Sequence, residues 1–288
     1  MVSGRQKRVT VRIWGGLGNQ LFSYAAARRL AIVNKAGLRI DHLSGFRSDK
    51  FGRHYALHHF NIPQNLVSPR KAFVSYGRIP RALVRRLSRF MPFSWRPYLM
   101  EERNDFDERL VNLKLRGNVY LEGYWQSERY FQDVQQQIRE DLKMTSPISP
   151  ESFTMCRRVE QVESIGVHVR RTQIDHPLEP GYYFRAFEYI SAHVERPHVF
   201  VFSDSPGWAE ATLRFDAPVT FVTQVPGDDS GCMDLWLMSL CKHFIIANST
   251  FSWWGAWLGT NPNKIITCPS FLENWGHKGL APDNWVML

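Results

Sequence analysis

The stretch from Ser164 to Cys268 alternates short apolar strands with helices, and this alternation limits the folds that the chain can adopt. Strand-like segments such as SIGVHVR, HVFVFSD and HFIIAN are each followed by a helix-like segment. Strands that alternate with helices form parallel sheets covered on both faces, because each connection must return along one face of the sheet. The pattern therefore predicts an α/β fold with a parallel sheet in this half of the chain.

A second α/β pattern opens the chain. A strand (Val9–Trp14) leads into a glycine loop (Gly15–Gly18) and then into NQLFSYAAARRLAIV, which is apolar nearly all round and is expected to form a buried helix. The run SPISPES (Ser146–Ser152) is the best linker candidate. We therefore predict two Rossmann-like halves, residues 1–150 and 151–288, facing a central cleft that binds a ligand at the carboxyl ends of the strands.

The glycine loop has the features of an anion site. A strand, the sequence GGLGNQ and a helix present free backbone N–H groups, and glycines let an anion approach the backbone closely. The dinucleotide fingerprint is incomplete, because Leu21 stands where its third glycine belongs, and the P-loop lysine is absent. The loop is therefore either a plain tight turn or a phosphate-facing turn. In the second case the contacting residues are Gly15, Gly16, Gly18 and Asn19.

Two adjacent arginines, Arg170 and Arg171, stand at the end of the strand SIGVHVR. Consecutive side chains of a strand point to opposite sides, so one arginine is expected to enter the site while the other supports the loop. A guanidinium group suits a diphosphate because its planar fork donates two parallel hydrogen bonds. A salt-bridged surface pair is the alternative. His168 belongs to the same candidate site.

Two further strands also end in polar residues. Asp204 ends HVFVFSD, where a carboxylate can accept hydrogen bonds from a base or a ribose hydroxyl, but can equally cap the next helix. The strand HFIIAN runs into STFSWWGAWL, and this junction is a second candidate for anion binding at a helix N-terminus. The polar residues of the junction are Asn248, Ser249, Thr250 and Ser252. The tryptophans that follow are expected to pack the helix against the sheet.

The net charge of +9 predicts an anionic partner such as a nucleotide, a nucleic acid or a membrane surface. No nucleic-acid recognition motif accompanies the charge, so nucleic acid is not expected. The segment RALVRRLSRFMPF reads as a basic, roughly amphipathic helix. It is either a solvated face over a core or, through Arg81–Arg89, a peripheral contact with anionic lipid.

Other patterns argue against further kinds of site. The triplet DFD (Asp105–Asp107) resembles a metal-binding DxD, but it lies in a run of charges without a preceding strand, so we expect a solvated face and no metal. The four cysteines lack CxxC spacing and a nearby histidine pattern, which predicts free thiols. No stretch reaches the roughly 18 apolar residues of a membrane span. The expected location is the cytoplasm, with peripheral attachment to the inner face of the membrane as an option.

Taken together, these segments resemble the α-1,2-fucosyltransferases of glycosyltransferase family 11. The matching blocks, in the family's order, are GGLGNQLFSYAAARRLA, YLEGYWQSERYF, VHVRR, YYFRAFEYI, VFSDS, DLWLMSLCKHFIIANSTFSWWGAWL and LAPDNWVML. The resemblance implies a GT-B-like fold, with an acceptor-side N-terminal domain and a C-terminal domain that binds the nucleotide sugar. It also implies inverting transfer of L-fucose from GDP-β-L-fucose to the 2-hydroxyl of a galactoside in a surface glycan such as O-antigen, without a metal or cofactor.

The chain departs from the family at one place. The family continues VHVRR with Gly-Asp-Tyr, whereas this chain reads HVRRTQID, so the usual acid is missing and Asp175 follows slightly later. Arg170 and the amides of the glycine loop would receive the departing diphosphate, and the candidate bases are Asp175, Glu122 and His168. The alternatives are a related transferase with another GDP-sugar or a protein hydroxyl acceptor, and a non-catalytic glycan-binding protein.

Overall fold

The computed structural model describes residues 6–68, 78–103, 105–223, 230–270 and 280–288. Contacts between Cα atoms divide the chain into two units, one made mainly of residues up to Thr145 and the other mainly of residues from Ser146 onward. This division lies at the start of the SPISPES run. Each unit is built on its own parallel sheet, which confirms the predicted α/β class.

The first unit has four strands and four α-helices in its described part. In chain order they are β1 (Arg8–Arg12), α1 (Leu17–Val33), β2 (Gly37–Asp41), α2 (Arg78–Ser88), β3 (Tyr98–Met100), α3 (Glu108–Val111), β4 (Val119–Glu122) and α4 (Gln135–Asp141). Short 3-10 helices lie at Leu57–His59, Phe93–Trp95, Glu128–Tyr130 and Gln132–Val134. The strands pair in parallel in the order β2-β1-β4-β3.

Helix α1 fills the core of this unit. Twelve of its residues are buried, and they lie on every side of the helix, which confirms the expectation from its apolar sequence. Its polar side chains find partners inside the unit, since the Tyr24 hydroxyl donates to Asp141 over 2.7 Å and Arg28 pairs with the same carboxylate over 2.7 Å. The buried helix is therefore fixed both by packing and by charge.

The second unit has five α-helices and six strands in its described part. In chain order they are α5 (Pro150–Glu160), β5 (Glu163–Val169), α6 (Pro180–Ser191), β6 (Pro197–Ser203), α7 (Pro206–Thr212), β7 (Val219–Phe221), α8 (Ser230–Ser239), β8 (His243–Ile245), α9 (Thr250–Leu258), β9 (Ile266–Cys268) and β10 (Val286–Met287). The strands pair in parallel in the order β10-β9-β8-β5-β6-β7.

Strand β5 lies inside this sheet, and its two faces pack differently. Ile165, Val167 and Val169 join an apolar cluster with residues of α6 and β6. Gly166 alternates with them, and a Cβ there would lie 3.0 Å from the Cys241 sulfur, so the opposite face packs closely on neighbouring structure. The strand is thus held on both faces up to its carboxyl end, where the candidate residues begin.

Candidate functional site

The carboxyl edge of the second sheet gathers most of the predicted residues. Strands β5 and β6 pair so that Val169 lies opposite Ser203, which brings the following residues, Arg170 and Asp204, to the same edge. Asn248 follows β8, the neighbour of β5 on its other side. Parallel topology therefore assembles one polar site from three separate stretches of sequence.

Asp204 holds the loop that follows β5. Its Oδ1 accepts from the Arg171 backbone N–H over 2.8 Å, and its Oδ2 accepts from the Thr172 N–H over 3.1 Å and from the Thr172 hydroxyl over 2.6 Å. Arg170 pairs with the same Oδ2 over 3.2 Å. The carboxylate thus fixes the main chain at Arg171 and Thr172, directly after Arg170. Direct contact of Asp204 with a nucleoside stays a prediction.

The two arginines have different surroundings, as the alternation of strand side chains predicts. Arg171 donates to the Leu178 carbonyl over 3.1 Å, and its guanidinium lies 4.0 Å from the centre of the Trp208 ring. Arg170 has a 30% exposed side chain and, among the described residues, pairs only with Asp204. Arg171 therefore supports the loop, whereas Arg170 keeps guanidinium N–H groups free for a ligand.

His168 is buried in the sheet at the base of this edge. Its ring packs against Phe251 with centroids 5.0 Å apart, and its Nδ1 has no hydrogen-bond partner among the described residues. Burial and the adjacent Arg170 guanidinium lower the pKa of His168 to about 3, although Asp204 opposes the shift. The imidazole is therefore neutral at pH 7 and a weak proton acceptor.

The junction between β8 and α9 supplies a second unpartnered atom. The amide nitrogen of Asn248 donates to the His176 carbonyl over 2.8 Å, while its Oδ1 is buried without a partner in the described part of the chain. Ser249 caps α9 by accepting from the Phe251 N–H over 3.3 Å, and Ser252 donates to the Ala247 carbonyl over 3.3 Å. Both serines thus shape the helix start, and Thr250 is its first residue.

Asp175 lies on the exposed loop between β5 and α6. No hydrogen bond or ion pair joins its carboxylate to a described residue, in contrast with Asp204. Its role as a base therefore stays a prediction, for which its free oxygens are a favourable feature.

In the first unit, the glycine loop is a tight turn that leads into α1. Gly15 has a φ of +76°, which L side chains rarely adopt, and a Cβ there would lie 2.8 Å from the Tyr124 hydroxyl. Gly16 is the extended N-cap of α1, Gly18 lies in its first turn, and that turn contains no acidic side chain. Asn19 accepts from Gln126 over 2.9 Å. The local features of an anion site are present, and contact with phosphate stays a prediction.

Glu122 ends β4 and is already engaged inside the first unit. Its Oε1 pairs with Arg12 over 2.8 Å, and its Oε2 accepts from the Tyr98 hydroxyl. The side chains of Arg12 and Glu122 are only 14% and 11% exposed. A structural role is therefore established for Glu122, and its role as a base stays a prediction.

Sequence reasoning missed several residues that shape these edges. Trp208 and Thr172 hold the arginine loop, and a stack between Trp14 and Tyr124, with centroids 4.7 Å apart, lies beside the glycine turn. Glu101 accepts from the N–H groups of Tyr124 and Trp125 over 2.7 and 2.9 Å. The available signals were the positions of Trp14 and Thr172 next to recognised motifs and of Tyr124 inside the block YLEGYWQSERYF.

The described residues contain no cluster of His, Cys, Asp and Glu suited to a metal ion. Within the DFD triplet, Asp107 caps α3 and pairs with Arg109 over 2.7 Å. No helix in the described ranges has the length and apolar character needed to cross a bilayer. Whether the reaction requires a metal stays a separate prediction.

A groove of about 1010 Å³ lies at the opposite, amino edge of the second sheet. Its lining includes Glu160, Glu163 and Glu195 as well as Lys242 and Arg196. Mixed charges of this kind give no preference for a diphosphate. The carboxyl edge, with Arg170 and two unpartnered buried atoms, fits such a ligand better.

Comparison with known proteins matches the sequence to one family. Residues 90–274 match the family model described as glycosyl transferase family 11. The chain is similar to an Escherichia coli alpha-1,2-colitosyltransferase, with 28% identity over 97% of this chain and 98% of that protein. It is also similar to the Escherichia coli O-antigen biosynthesis glycosyltransferase WbnK, with 31% identity over 95% and 98% of the two chains.

Solved structures resemble the fold at lower identity. NodZ alpha-1,6-fucosyltransferase, co-crystallized with GDP, has a TM-score of 0.55 at 16% identity and covers 88% of this chain and 92% of its own. Arabidopsis thaliana FUT1, as a mutant in complex with GDP, has a TM-score of 0.54 at 14% identity over 92% and 71% of the two chains. The predicted GT-B-like fold with two parallel-sheet halves is thereby confirmed.

Proposed function

We propose that this chain, which belongs to glycosyl transferase family 11, moves L-fucose from GDP-β-L-fucose to the 2-hydroxyl of a galactoside in a surface glycan such as O-antigen. Membership of the family makes it a glycosyltransferase. Support for the acceptor class comes from the relatives, one of which is named for O-antigen biosynthesis. Support for a GDP-sugar comes from fold neighbours that were crystallized with GDP.

One observation carries the assignment of the donor to the second unit. Asp204 fixes the loop after β5, and Arg170 stands on that loop with guanidinium N–H groups free. The unpartnered Nδ1 of His168 and Oδ1 of Asn248 are buried polar atoms. Unsatisfied buried polar atoms are costly, so a ligand that pairs with them would gain affinity.

In the proposed reaction the acceptor oxygen attacks the anomeric carbon of fucose while the bond to the β-phosphate oxygen breaks. The negative charge that develops on the diphosphate is stabilised by Arg170 and by the N-terminus of α9 at Thr250. Because Asp204 holds Arg170 before the reaction, little reorganisation is required. Fixed positive charge of this kind performs the role of a metal, so the proposed activity persists in EDTA.

The base is proposed to be Asp175. The neutral, buried His168 has a pKa of about 3, which makes it a poor base near pH 7. Glu122 pairs with Arg12 and accepts from Tyr98, whereas the exposed Asp175 has no such partner among the residues that the structure describes. Asp175→Asn should lower kcat roughly 100-fold and Asp175→Glu should retain part of the activity. Equal activity of Asp175→Asn and the parent would exclude this role.

GDP-fucose has one specific alternative as the donor. One relative is named as a colitosyltransferase, and colitose differs from fucose by the absence of the 3-hydroxyl. GDP-colitose is therefore the second candidate donor. A site that hydrogen-bonds the 3-hydroxyl would discriminate strongly against colitose, because its polar partner would otherwise be left unpaired.

The test combines binding with product analysis. Calorimetry with GDP, UDP and ADP should show a clear preference for GDP, and Arg170→Ala should weaken it. Transfer assays with GDP-fucose, GDP-colitose, GDP-mannose and UDP-galactose, with galactoside and peptide acceptors, should give an α-1,2-fucosyl galactoside by NMR. A preference for UDP, or a glycopeptide product, would refute the proposal.

A further inference from the structure

A surface segment of the first unit combines exposed apolar side chains with two arginines, Arg86 and Arg89, that pair with no carboxylate of the described residues. Residues 78–100, which include α2, contain six arginines and no Asp or Glu. The described residues of the whole chain have eleven large hydrophobic side chains that are exposed, and five of them fall between Leu83 and Trp95. Such a concentration on one short segment marks an interaction surface.

The geometry of α2 separates an inner face from an outer face. Arg85 directs its guanidinium toward the Met100 sulfur over 3.7 Å, and Ser88 is buried, so this side of the helix packs on β3. Leu83 and Leu87, one turn apart, are 54% and 56% exposed. The helix therefore presents a continuous apolar ridge away from its own core.

Exposed aromatic side chains follow the end of the helix along the chain. Phe90 is 82% exposed and Trp95 is 54% exposed, and the Arg116 guanidinium lies 4.5 Å from the centre of a Trp95 ring. Aromatic side chains with an adjacent cation are well suited to the boundary between water and lipid. We call the outer surface formed by Leu83, Arg86, Leu87, Arg89, Phe90 and Trp95 the basic–apolar patch.

The charges of the patch have no internal partner. Among the described residues, no carboxylate pairs with Arg86 or Arg89. The nearest acids along the chain are Glu101, which accepts from the N–H groups of Tyr124 and Trp125, and Glu102, which pairs with Arg96 and Arg109 over 2.9 and 3.2 Å. Two cations without acidic neighbours, interleaved with exposed apolar side chains, complement an anionic surface that also accepts apolar groups.

We propose that the basic–apolar patch docks this protein onto the surface of an anionic phospholipid bilayer. Helix α2 would lie in the plane of the interface, with Leu83, Leu87, Phe90 and Trp95 among the acyl chains. Arg86 and Arg89 would contact lipid phosphates. A purely solvated face would not expose four large apolar side chains, and a neutral apolar partner would leave the arginines desolvated and unpaired.

The experiment is sedimentation of the full chain with vesicles of phosphatidylcholine, with and without about 30% phosphatidylserine. The parent protein should bind only the anionic vesicles. It should be released by 0.5 M salt, because the Debye length falls to about 4 Å at that concentration. Arg86→Gln with Arg89→Gln should weaken binding about thirty-fold. Arg86→Lys with Arg89→Lys, which keeps the charge, should bind nearly as the parent does.

Apolar insertion is tested separately. Phe90→Ser with Trp95→Ser should weaken binding roughly ten-fold or more, because apolar area no longer enters the bilayer. The matched control is Phe153→Ser with Arg157→Gln on α5. The Phe153 side chain is 50% exposed and lies beside the Arg157 guanidinium, as an aromatic ring lies beside a cation in the patch. This control should bind vesicles as the parent protein does.

Each variant is also checked by thermal melting and by calorimetry with GDP. All the substituted patch residues are exposed, so the melting temperature should not change by more than about 2 °C. Binding of the parent to neutral vesicles as well, an equal loss in the α5 control, or no binding at all would overturn the proposal. Loss only in the apolar variant, with dimers of the parent in light scattering, would assign the patch to self-association instead. Failure of GDP binding would refute the proposed function and leave the vesicle result intact.

Discussion

At the carboxyl edge of each sheet, one carboxylate accepts hydrogen bonds from the backbone of the neighbouring loop. We call this arrangement a clamp, and the two clamps differ in the charged groups beside them. In the second unit, Asp204 follows β6 and accepts from the N–H groups of Arg171 and Thr172, which follow the neighbouring strand β5. In the first unit, Glu101 follows β3 and accepts from the N–H groups of Tyr124 and Trp125 after β4. One carboxylate fixes the adjacent loop in each case.

The two edges differ in whether the charged side chains beside the clamp keep N–H groups free for a ligand. In the first unit, the charged side chains beside the clamp pair with each other, since Arg12 pairs with Glu122, which also accepts from Tyr98. In the second unit, the clamp itself holds Arg170 at 30% exposure. A closed network stabilises a fold, whereas an open one can bind a ligand. We therefore expect stability effects from the first edge and binding effects from the second.

The largest expected effect comes from opening the closed network. Arg12→Ala should lower the free energy of unfolding by about 3 to 5 kcal/mol, because it leaves the nearly buried Glu122 carboxylate without its cation. Replacing both partners together, as Arg12→Met with Glu122→Leu, should recover part of this loss. Urea denaturation measures both variants. A loss below 1 kcal/mol for Arg12→Ala would show that the first edge is not a closed network.

The next largest effect concerns catalysis at the open edge. Arg170→Ala should reduce kcat roughly 100- to 1000-fold, because one preorganised charge at the departing diphosphate is lost. Its free energy of unfolding should change little, since Arg170 is 30% exposed and Asp204 keeps its hydrogen bonds from the Arg171 N–H and from Thr172. Arg157→Ala, an exposed arginine on α5 of the same unit, is the control and should be fully active. Wild-type turnover by Arg170→Ala would remove the functional contrast between the edges.

A third effect depends on pH. The pKa of His168 is about 3 in the folded protein and 6.5 in the unfolded chain, so between these values only the unfolded state binds the proton. Stability should therefore fall as the pH drops below 6.5, by about 1.4 kcal/mol per pH unit. His168→Gln should flatten this slope, whereas His58→Gln, at an exposed position of the first unit, should not. Denaturation midpoints from pH 7.5 to pH 4.5 test the difference.

The smallest effect compares the two clamps directly. Asp204→Ala and Glu101→Ala should each cost about 1 to 3 kcal/mol, because each leaves two backbone N–H groups without their acceptor. Only Asp204→Ala should also weaken GDP binding, since only that loop carries Arg170. Thr172→Val, which loses a single hydroxyl bond to Asp204, should cost about 1 kcal/mol. Equal effects of both clamp variants on GDP binding would contradict the division of roles.

Much of the fold could be predicted because the signals were local and periodic. Strand β5 and helices α1 and α9 have apolar patterns long enough to identify, and Trp253 and Trp254 are buried as expected. Strands β3 and β4 were missed, since they have three and four residues and too few positions to show a period. Their existence depends on pairing with each other and with β1.

The candidate site was predictable in part for a similar reason. The end of each strand is visible in the sequence, and parallel topology brings those ends together, so Arg170, Asp204 and Asn248 could be grouped. The hydrogen-bond and ionic partners of each side chain could not be predicted from the sequence. The sequence predicts a nucleoside contact or a helix cap for Asp204, and the structure adds that its oxygens hold the neighbouring loop over 2.8 and 3.1 Å. That role follows from strand order, which spacing does not contain.

The sequence by itself determined the α/β class, the division into two halves and the positions of the polar residues at the carboxyl ends of the strands in the second sheet. Backbone conformation, apolar periodicity and strand–helix order depend mainly on neighbouring residues, so they can be read along the chain. Only the tertiary structure decided that Arg170 keeps guanidinium N–H groups free while Arg12 is enclosed by its partners. The two side chains have the same chemistry and each pairs with one carboxylate. What separates them is that Arg12 also donates to the Ser44 hydroxyl and carbonyl over 3.2 and 3.1 Å, whereas Arg170 stays 30% exposed. Such a contact joins positions far apart in the sequence, and only folding creates it.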